Sequence, residues 1–140
     1  MLAEKTYPQD YIGGCRARMD AQLAAYRKLA AATADTKAVR AALDSFEPLF
    51  FNHLVVSLDA YFMHRTRAIE GKDGNPLNEV RMLSHSILYD DAVLSIDKTI
   101  KYSAETSVSG LAIGDEIRLD EGQFTQLSTA FFVEMEKRFT

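Results

Sequence analysis

Three histidines, His53, His64 and His85, are the side chains of this chain best suited to bind a metal ion or to transfer a proton. His53 and His64 are eleven residues apart and would share one face of a continuous helix. Their separation along the axis would be about 16 Å, because each helical residue rises about 1.5 Å. Zinc binds histidine nitrogens at about 2.0–2.1 Å, so these two histidines cannot share one ion.

A composite metal site is compatible with the spacing if the chain reverses direction at residues 71–75. His64 would then lie level with His85 on the next helix, and the last helix would bring Glu134 or Glu136 to the same layer. Two histidines and one carboxylate are a recognised ligand set for a metal centre. This arrangement predicts a metal-dependent enzyme; the alternative is that the histidines are separately hydrogen-bonded or solvated.

The segment 64–81 is rich in groups that bind anions. Exposed amides at a helix start, together with guanidinium groups, favour phosphate and carboxylate ligands. The candidate ligand-binding residues are Arg65, Arg67, Lys72, Asn75 and Arg81. The alternative is that these charges complement a helix dipole and pair with the neighbouring acidic residues Glu70, Asp73 and Glu79.

Cys15 is a third candidate. It could act as a nucleophile with His53 if the first two helices run antiparallel, or it could be a small core residue on an apolar stripe. Because it is the only cysteine, the chain can form neither an internal disulfide nor a cysteine-cluster metal site.

The composition argues against two classes of partner. A formal net charge of −4 with scattered charges is unlike a general nucleic-acid-binding protein, which carries a basic patch. Asn52, His53 and Asp59 interrupt the richest apolar run, which is shorter than the roughly 18 residues of a membrane span. The N-terminus lacks the apolar region of a signal peptide. We therefore expect one cytoplasmic domain over residues 1–140, with no nucleic-acid or membrane partner.

Four helices must position the candidate residues. Apolar residues at steps of three and four predict a first helix over residues 8–32. Gly13 and Gly14 predict either a frayed first turn or a close backbone approach to a bulky neighbour. A second helix is predicted over about residues 37–69, with a bend or short break at Pro48. Its wide apolar arc is typical of the central helix of a bundle.

The third helix has the clearest start. Asn75 is predicted to cap it and Pro76 to occupy its first position. Apolar residues extend this helix to between residues 96 and 102. The last helix follows a capping box formed by Asp120 and Gln123.

The segment between the third and last helices is too rich in Ser, Thr and Gly for another long helix. The turn signal Gly114-Asp115 predicts a short β-hairpin over about residues 108–119. A three-residue turn would place four apolar side chains on one face. These are Leu111, Ile113, Ile117 and Leu119. The predicted fold is all-α, a four-helix antiparallel up-and-down bundle with this hairpin as an insert.

The run FNHLVVSLDAYFMHRTRAIEGKDGNPLNEVR, followed by DKTIKY, LAIGDEIRL and FFVEMEKRF, resembles a family of small bacterial helical-bundle proteins with no known activity. The likeness covers residues 46–140, and EGKDGNPLNEVR is its most specific part. It implies a bacterial source and a helical bundle, and it adds no mechanism. The DinB-like metal-binding bundles fit less well, because the last helix here has no histidine.

The most direct functional hypothesis is a binding or interaction module that captures a small anion at the corner formed by residues 64–81. The competing hypotheses are the metal-dependent enzyme and a structural oligomer without a ligand. We also expect a homo-oligomer formed through the aromatic-rich helices.

Overall fold

The computed structural model describes residues 3–140. The fold is all-α, as predicted: α1 spans Gln9–Ala32, α2 Lys37–Tyr61, α3 Arg67–Glu70, α4 Pro76–Tyr89 and α5 Glu121–Phe139. A 3₁₀ turn covers Ala104–Thr106, and only isolated bridges, with no sheet, form within residues 3–140. α2 contacts α1, α4 and α5, and α5 also contacts α1, α3 and α4. The up-and-down order of the four longer helices stays a prediction.

The hydrophobic core is dominated by phenylalanine. Six of these residues are among its largest fully buried side chains, namely Phe51, Phe62, Phe124, Phe131, Phe132 and Phe139. Each contributes about 1.5–3 kcal/mol through removal of its apolar surface from water. The predicted stripe of α1 is buried against this core; its members are Ile12, Cys15, Met19, Leu23 and Tyr26. The spacing of apolar residues therefore identified the inward face of α1 correctly.

The predicted helix starts are confirmed at α4 and α5. The Asn75 side chain accepts hydrogen bonds from the amides of Leu77 and Asn78, at 3.0 and 3.3 Å. Asp120 and Gln123 form the reciprocal capping box. These starts depend on side chains two or three residues apart, which explains why local sequence was sufficient to find them.

None of the helices that the structure describes combines the length and the apolar composition needed to cross a bilayer.

α1 passes through Gly13 and Gly14 without a break. A Cβ atom placed on Gly13 would have no neighbour within 4 Å, so no bulky group approaches its backbone closely. The structure therefore shows neither a frayed first turn nor a close approach of a bulky neighbour at Gly13.

We expect Gly13→Ala to raise the free energy of unfolding by about 0.5–1 kcal/mol, because alanine restricts the unfolded chain and favours the helix. Gly114→Ala is the matched control, since Gly114 is equally uncrowded but has φ +94°. It should instead lower stability by about 1 kcal/mol or more, because an L side chain is strained there. Urea denaturation of both variants tests this; the same sign for both would contradict it.

The predicted extent of the second helix is wrong, since α2 ends at Tyr61 although it is continuous through Pro48. Residues 62–64 form a turn directly after α2, and the N-terminal segment then pairs with the chain on either side of Arg65. The Glu4 amide donates to His64 O at 2.7 Å, and the Thr66 amide donates to Glu4 O at 2.9 Å. His64 therefore lies outside α2 and cannot share a helix face with His53. A tertiary contact more than fifty residues away in sequence ended this helix.

The predicted end of the third helix is also wrong, because α4 stops at Tyr89. Asp91 and Ala92 follow in the left-handed region, with φ 53° and 58°. The next residues then pair with the segment that was predicted to form a hairpin with itself. The Gly114 amide donates to Leu94 O at 2.8 Å, and the Ile117 amide donates to Ala92 O at 2.7 Å.

The predicted hairpin at 108–119 is therefore not formed. Residues 114–117 use residues 92–94 as their backbone partner. Ile117 and Leu119 are buried together with Leu94, whereas Ile113 is 45% exposed. Pairing with the chain after α4 buries more apolar surface than a self-contained hairpin would, since a two-stranded hairpin alone has little core.

Candidate anion-binding cleft

The carboxylate of Glu70 organises the corner between α2 and α4. It is fully buried and accepts hydrogen bonds from the guanidinium groups of Arg65 and Arg81. Both of its oxygens lie 2.9–3.0 Å from Nη2 of Arg81, and Nε of Arg67 is 3.5 Å from one of them. One buried negative charge thus faces three positive charges. Such a carboxylate is stable only because its desolvation is offset by these partners.

Arg65 belongs to the interior rather than to a ligand site. Its side chain is fully buried and donates to Glu70, to Asp59 Oδ1 at 3.0 Å and to Leu77 O at 3.3 Å. Its guanidinium carbon also lies 5.3 Å from the centre of the Phe131 ring. Each of the three guanidinium nitrogens donates to a protein acceptor, so Arg65 is not placed to meet a ligand.

Asn75 is likewise occupied. Besides capping α4, its amide nitrogen donates to Glu70 O at 2.7 Å and to Asp73 Oδ1 at 3.0 Å. Two of the first amides of α4, those of Leu77 and Asn78, are satisfied by its oxygen. The helix start that was predicted to receive the anion therefore receives a side chain of its own chain.

The other three predicted residues, Arg67, Lys72 and Arg81, line two adjoining depressions. The first, of about 450 Å³, is bordered by Arg67, Ala68, Gly71, Lys72 and Thr99. The second, of about 580 Å³, is bordered by Arg67, Arg81, Met82, His85 and residues 95–99. Both contain Arg67 and Thr99, so we treat them together as the basic cleft.

The basic cleft has an excess of positive charge. Its lining contains four cations, Arg67, Lys72, Arg81 and Lys98, and one carboxylate, Asp97. Hydrogen bonds from Thr99 lower the pKa of Asp97, and the charges of Arg67 and Arg81 act in the same direction. Asp97 accepts from the amide and the hydroxyl of Thr99 at 2.8 and 2.6 Å, so its charge fixes the 97–99 turn.

The hydrogen bonds of Arg67 and Arg81 differ in how completely their donors are paired. Arg67 Nη2 donates to Thr99 Oγ1 at 3.0 Å, which joins the two sides of the basic cleft. The Nε atom of Arg81 is buried and finds no acceptor among the described residues. Arg81 thus has Nη2 fixed on Glu70, and its side chain, which is 23% exposed, borders the basic cleft. A guanidinium group whose side chain is already fixed by a carboxylate loses little further freedom when it binds an anion, so it is preorganised for binding.

Lys98 and Thr99 were missed by the sequence reasoning. The predicted third helix ended between residues 96 and 102, so these two residues were placed at its end rather than in a cleft wall. The Asp97 and Thr99 pair, an Asp followed two residues later by a hydrogen-bonding Thr, is a local turn signal that could have shown the break.

The predicted metal centre is not assembled. No group of three or more His, Cys, Asp or Glu side chains within residues 3–140 is placed to hold a metal ion, so His64, His85 and Glu134 do not meet. Nε2 of His85 is 3.8 Å from Asp90 Oδ2, and Glu134 pairs with Arg138 at 2.6 Å. The prediction that these three side chains lie in one layer assumed that α2 continues to residue 69, whereas it ends at Tyr61.

Cys15 and His53 also have separate environments. Cys15 is fully buried, and burial is the main cause that raises the pKa of its thiol. Its sulfur has Nη1 of Arg18 at 3.8 Å, while His53 is exposed and its Nδ1 lies 2.9 Å from Leu49 O. A raised pKa disfavours the thiolate, so Cys15 fits the alternative of a small core residue.

Comparisons with protein-family models, with curated proteins and with solved structures found no match to this chain. The function is therefore argued from the geometry of the basic cleft.

Proposed function

We propose that this protein is a binding module whose basic cleft takes a small anion bearing a phosphate or carboxylate group. The observation that carries the proposal is the Arg81 side chain, which borders the basic cleft and is held in place there by its hydrogen bonds to Glu70. Arg67, Lys72 and Lys98 add three further cations along the same surface. The predicted corner is thus retained in a narrower form, without Arg65 and Asn75.

The overall charge of the chain strengthens this interpretation. A protein with a formal net charge of −4 does not attract anions in general. A local excess of cations on such a protein acts only over short distances, since the Debye length is about 8 Å at physiological salt. The proposed ligand is therefore small and binds by direct contact, and a long polyanion such as nucleic acid is disfavoured.

Titration with inorganic phosphate and with citrate, followed by NMR of the backbone amides, tests the proposal. We expect saturable shifts at Lys72, Lys98 and Thr99 with a millimolar dissociation constant. Arg67→Gln and Lys98→Gln should each weaken binding by about threefold to tenfold, because each removes one charge-assisted contact. Addition of salt should weaken binding by the wild type.

The matched control is Arg40→Gln. Arg40 is also an exposed arginine, but it pairs with Asp35 at 3.2 Å outside the basic cleft. This variant should bind phosphate as the wild type does. An equal loss in Arg40→Gln and Lys98→Gln would show a general charge effect and would contradict the proposal, as would the absence of shifts around residues 67–72 and 95–99.

We also propose the antiparallel up-and-down order of the four longer helices, and a cytoplasmic homo-oligomer. The short connection between α1 and α2, residues 33–36, supports the first, since short connections favour antiparallel neighbours. Large exposed apolar side chains on three helices, Leu29, Leu49 and Val133, support self-association. Sedimentation equilibrium tests it, and a monomeric mass at every concentration would contradict it.

A further inference from the structure

A separate depression, outside the basic cleft, lies at the C-terminal end of α2. Here the N-terminal segment crosses the residues after Tyr61. Its volume is about 410 Å³. Three tyrosines dominate its lining, and we call it the tyrosine groove. The residues used below are Glu4, Tyr7, Tyr11, Tyr61, Met63 and His64.

The walls of the tyrosine groove are fixed by the backbone. The N-terminal segment is held on one side by the hydrogen bonds of Glu4 with His64 and Thr66. On the other side the Tyr7 amide donates to Phe139 O at 2.7 Å. These contacts place the Glu4 side chain and the Tyr7 ring beside the end of α2. Because its backbone is hydrogen-bonded at both points, this segment forms one wall of the groove before any ligand binds.

The aromatic rings are also locked. Tyr7 and Tyr11 are stacked with ring centres 5.8 Å apart, and both meet the buried Phe62 ring edge-on, at 5.1 and 5.5 Å. The Tyr11 hydroxyl donates to Tyr61 O, which joins α1 to the end of α2. Aromatic rings held in this way keep their electron-rich faces in place without further loss of side-chain entropy on binding.

The charge of this groove is opposite to that of the basic cleft. None of its lining residues within the described chain is lysine or arginine. The ion pairs formed among residues 3–140 do not include Glu4. The Tyr61 ring already attracts a cation, since the guanidinium carbon of Arg18 lies 5.8 Å from its centre. Burial is the main cause that raises the pKa of Tyr7 to about 12, so its phenol stays neutral.

We propose that the tyrosine groove binds a small alkylammonium cation, such as a quaternary amine. Ring faces attract alkylammonium groups through their quadrupoles, and such groups need no hydrogen-bond acceptor. Glu4 supplies the opposite charge at the edge. The groove is at the lower end of the range of about 300–1,000 Å³ that small-molecule sites occupy. A small organic cation therefore fits it better than a larger ligand. This site is independent of the basic cleft.

Choline and its uncharged carbon analogue, 3,3-dimethyl-1-butanol, provide the test, because they have the same shape and differ in charge. We expect choline to bind with a dissociation constant of about 1 mM and the alcohol at least about tenfold more weakly. The N-methyl protons of bound choline should move upfield in NMR spectra, since they lie over the rings. Inorganic phosphate should not displace choline, which separates this result from the proposed function.

Glu4→Gln should weaken choline binding by about threefold to fivefold and leave the alcohol unaffected. Glu4 is exposed, so this variant should fold normally. Glu105→Gln, at another exposed carboxylate, is the matched control and should bind choline as the wild type does. Tyr61→Phe should retain binding, because the ring remains, and Tyr61→Leu should lose it. Equal binding of choline and the alcohol, or choline binding unchanged by both Glu4→Gln and Tyr61→Leu, would overturn the proposal.

Discussion

The Glu70→Gln variant should lose about 3 kcal/mol of unfolding free energy, the lower end of the range of about 3–5 kcal/mol measured when a buried ion pair loses one partner. Glu70 is fully buried and accepts from Arg65, which is also fully buried. Without the carboxylate charge, the Arg65 guanidinium would remain in the interior with Asp59 as its only acidic partner. That remaining partner is why the lower figure is expected. Urea denaturation followed by circular dichroism measures the change.

Double-mutant cycles make this expectation more specific. Coupling between Glu70 and Arg65 should exceed coupling between Glu70 and Arg67, because Arg65 is fully buried and the Arg67 side chain is 42% exposed. Glu136→Gln is the control, since Glu136 pairs with Arg16 at the surface at 3.0 Å. It should change stability by less than about 1 kcal/mol. Similar losses at Glu70 and Glu136 would show that the buried cluster is not important.

Asn52→Ala should destabilise the protein by about 2–4 kcal/mol, because it removes both partners of a buried extended segment. The Asn52 amide nitrogen donates to Ile117 O at 2.8 Å, and its oxygen accepts from the Leu119 amide at 3.1 Å. Asn52 is 6% exposed, so water cannot easily replace it. One side chain of α2 thus pairs with the 117–119 backbone as a neighbouring strand would.

Hydrogen exchange identifies the cause of the Asn52→Ala effect. The Leu119 amide should exchange much faster in the variant, measured relative to the amides of α1. His53→Ala is the control at the adjacent exposed position, and it should change stability by less than about 0.5 kcal/mol. If the Leu119 amide stayed protected in Asn52→Ala, the proposed backbone contact would be wrong even if stability fell.

The same Glu70 cluster explains why the predicted anion site was only partly correct. Residue types in 64–81 predicted an accumulation of positive charge, and the structure contains it. Glu70 is located between the cations and divides them, with Arg65 directed into the core and Arg67 and Arg81 reaching the basic cleft. Sequence alone treated Glu70 as a local surface partner, because an acidic residue is rarely fully buried. Its burial among three arginines depends on how the corner folds.

The limits of prediction at the candidate sites have a common cause. His64, His85 and Glu134 were aligned by counting helical rise, which requires each helix to continue as far as its apolar pattern. α2 and α4 both end earlier than that pattern indicates. The errors at these two ends moved His64 out of its helix and converted residues 95–99 into a wall of the basic cleft. Periodicity reports which face is buried, and it does not report where a competing backbone partner ends the helix.

The sequence by itself determined the all-α class, the buried face of α1, and the starts of α4 and α5, because apolar periodicity and capping depend on residues within one or two turns. Tertiary structure decided where α2 and α4 end, which chain segment pairs with residues 114–117, and which arginines face solvent. Those outcomes depend on hydrogen bonds and charges between residues far apart in sequence, such as Glu4 with Thr66 and Asn52 with Leu119. No local pattern carries that information, since such a contact exists only after the chain has folded.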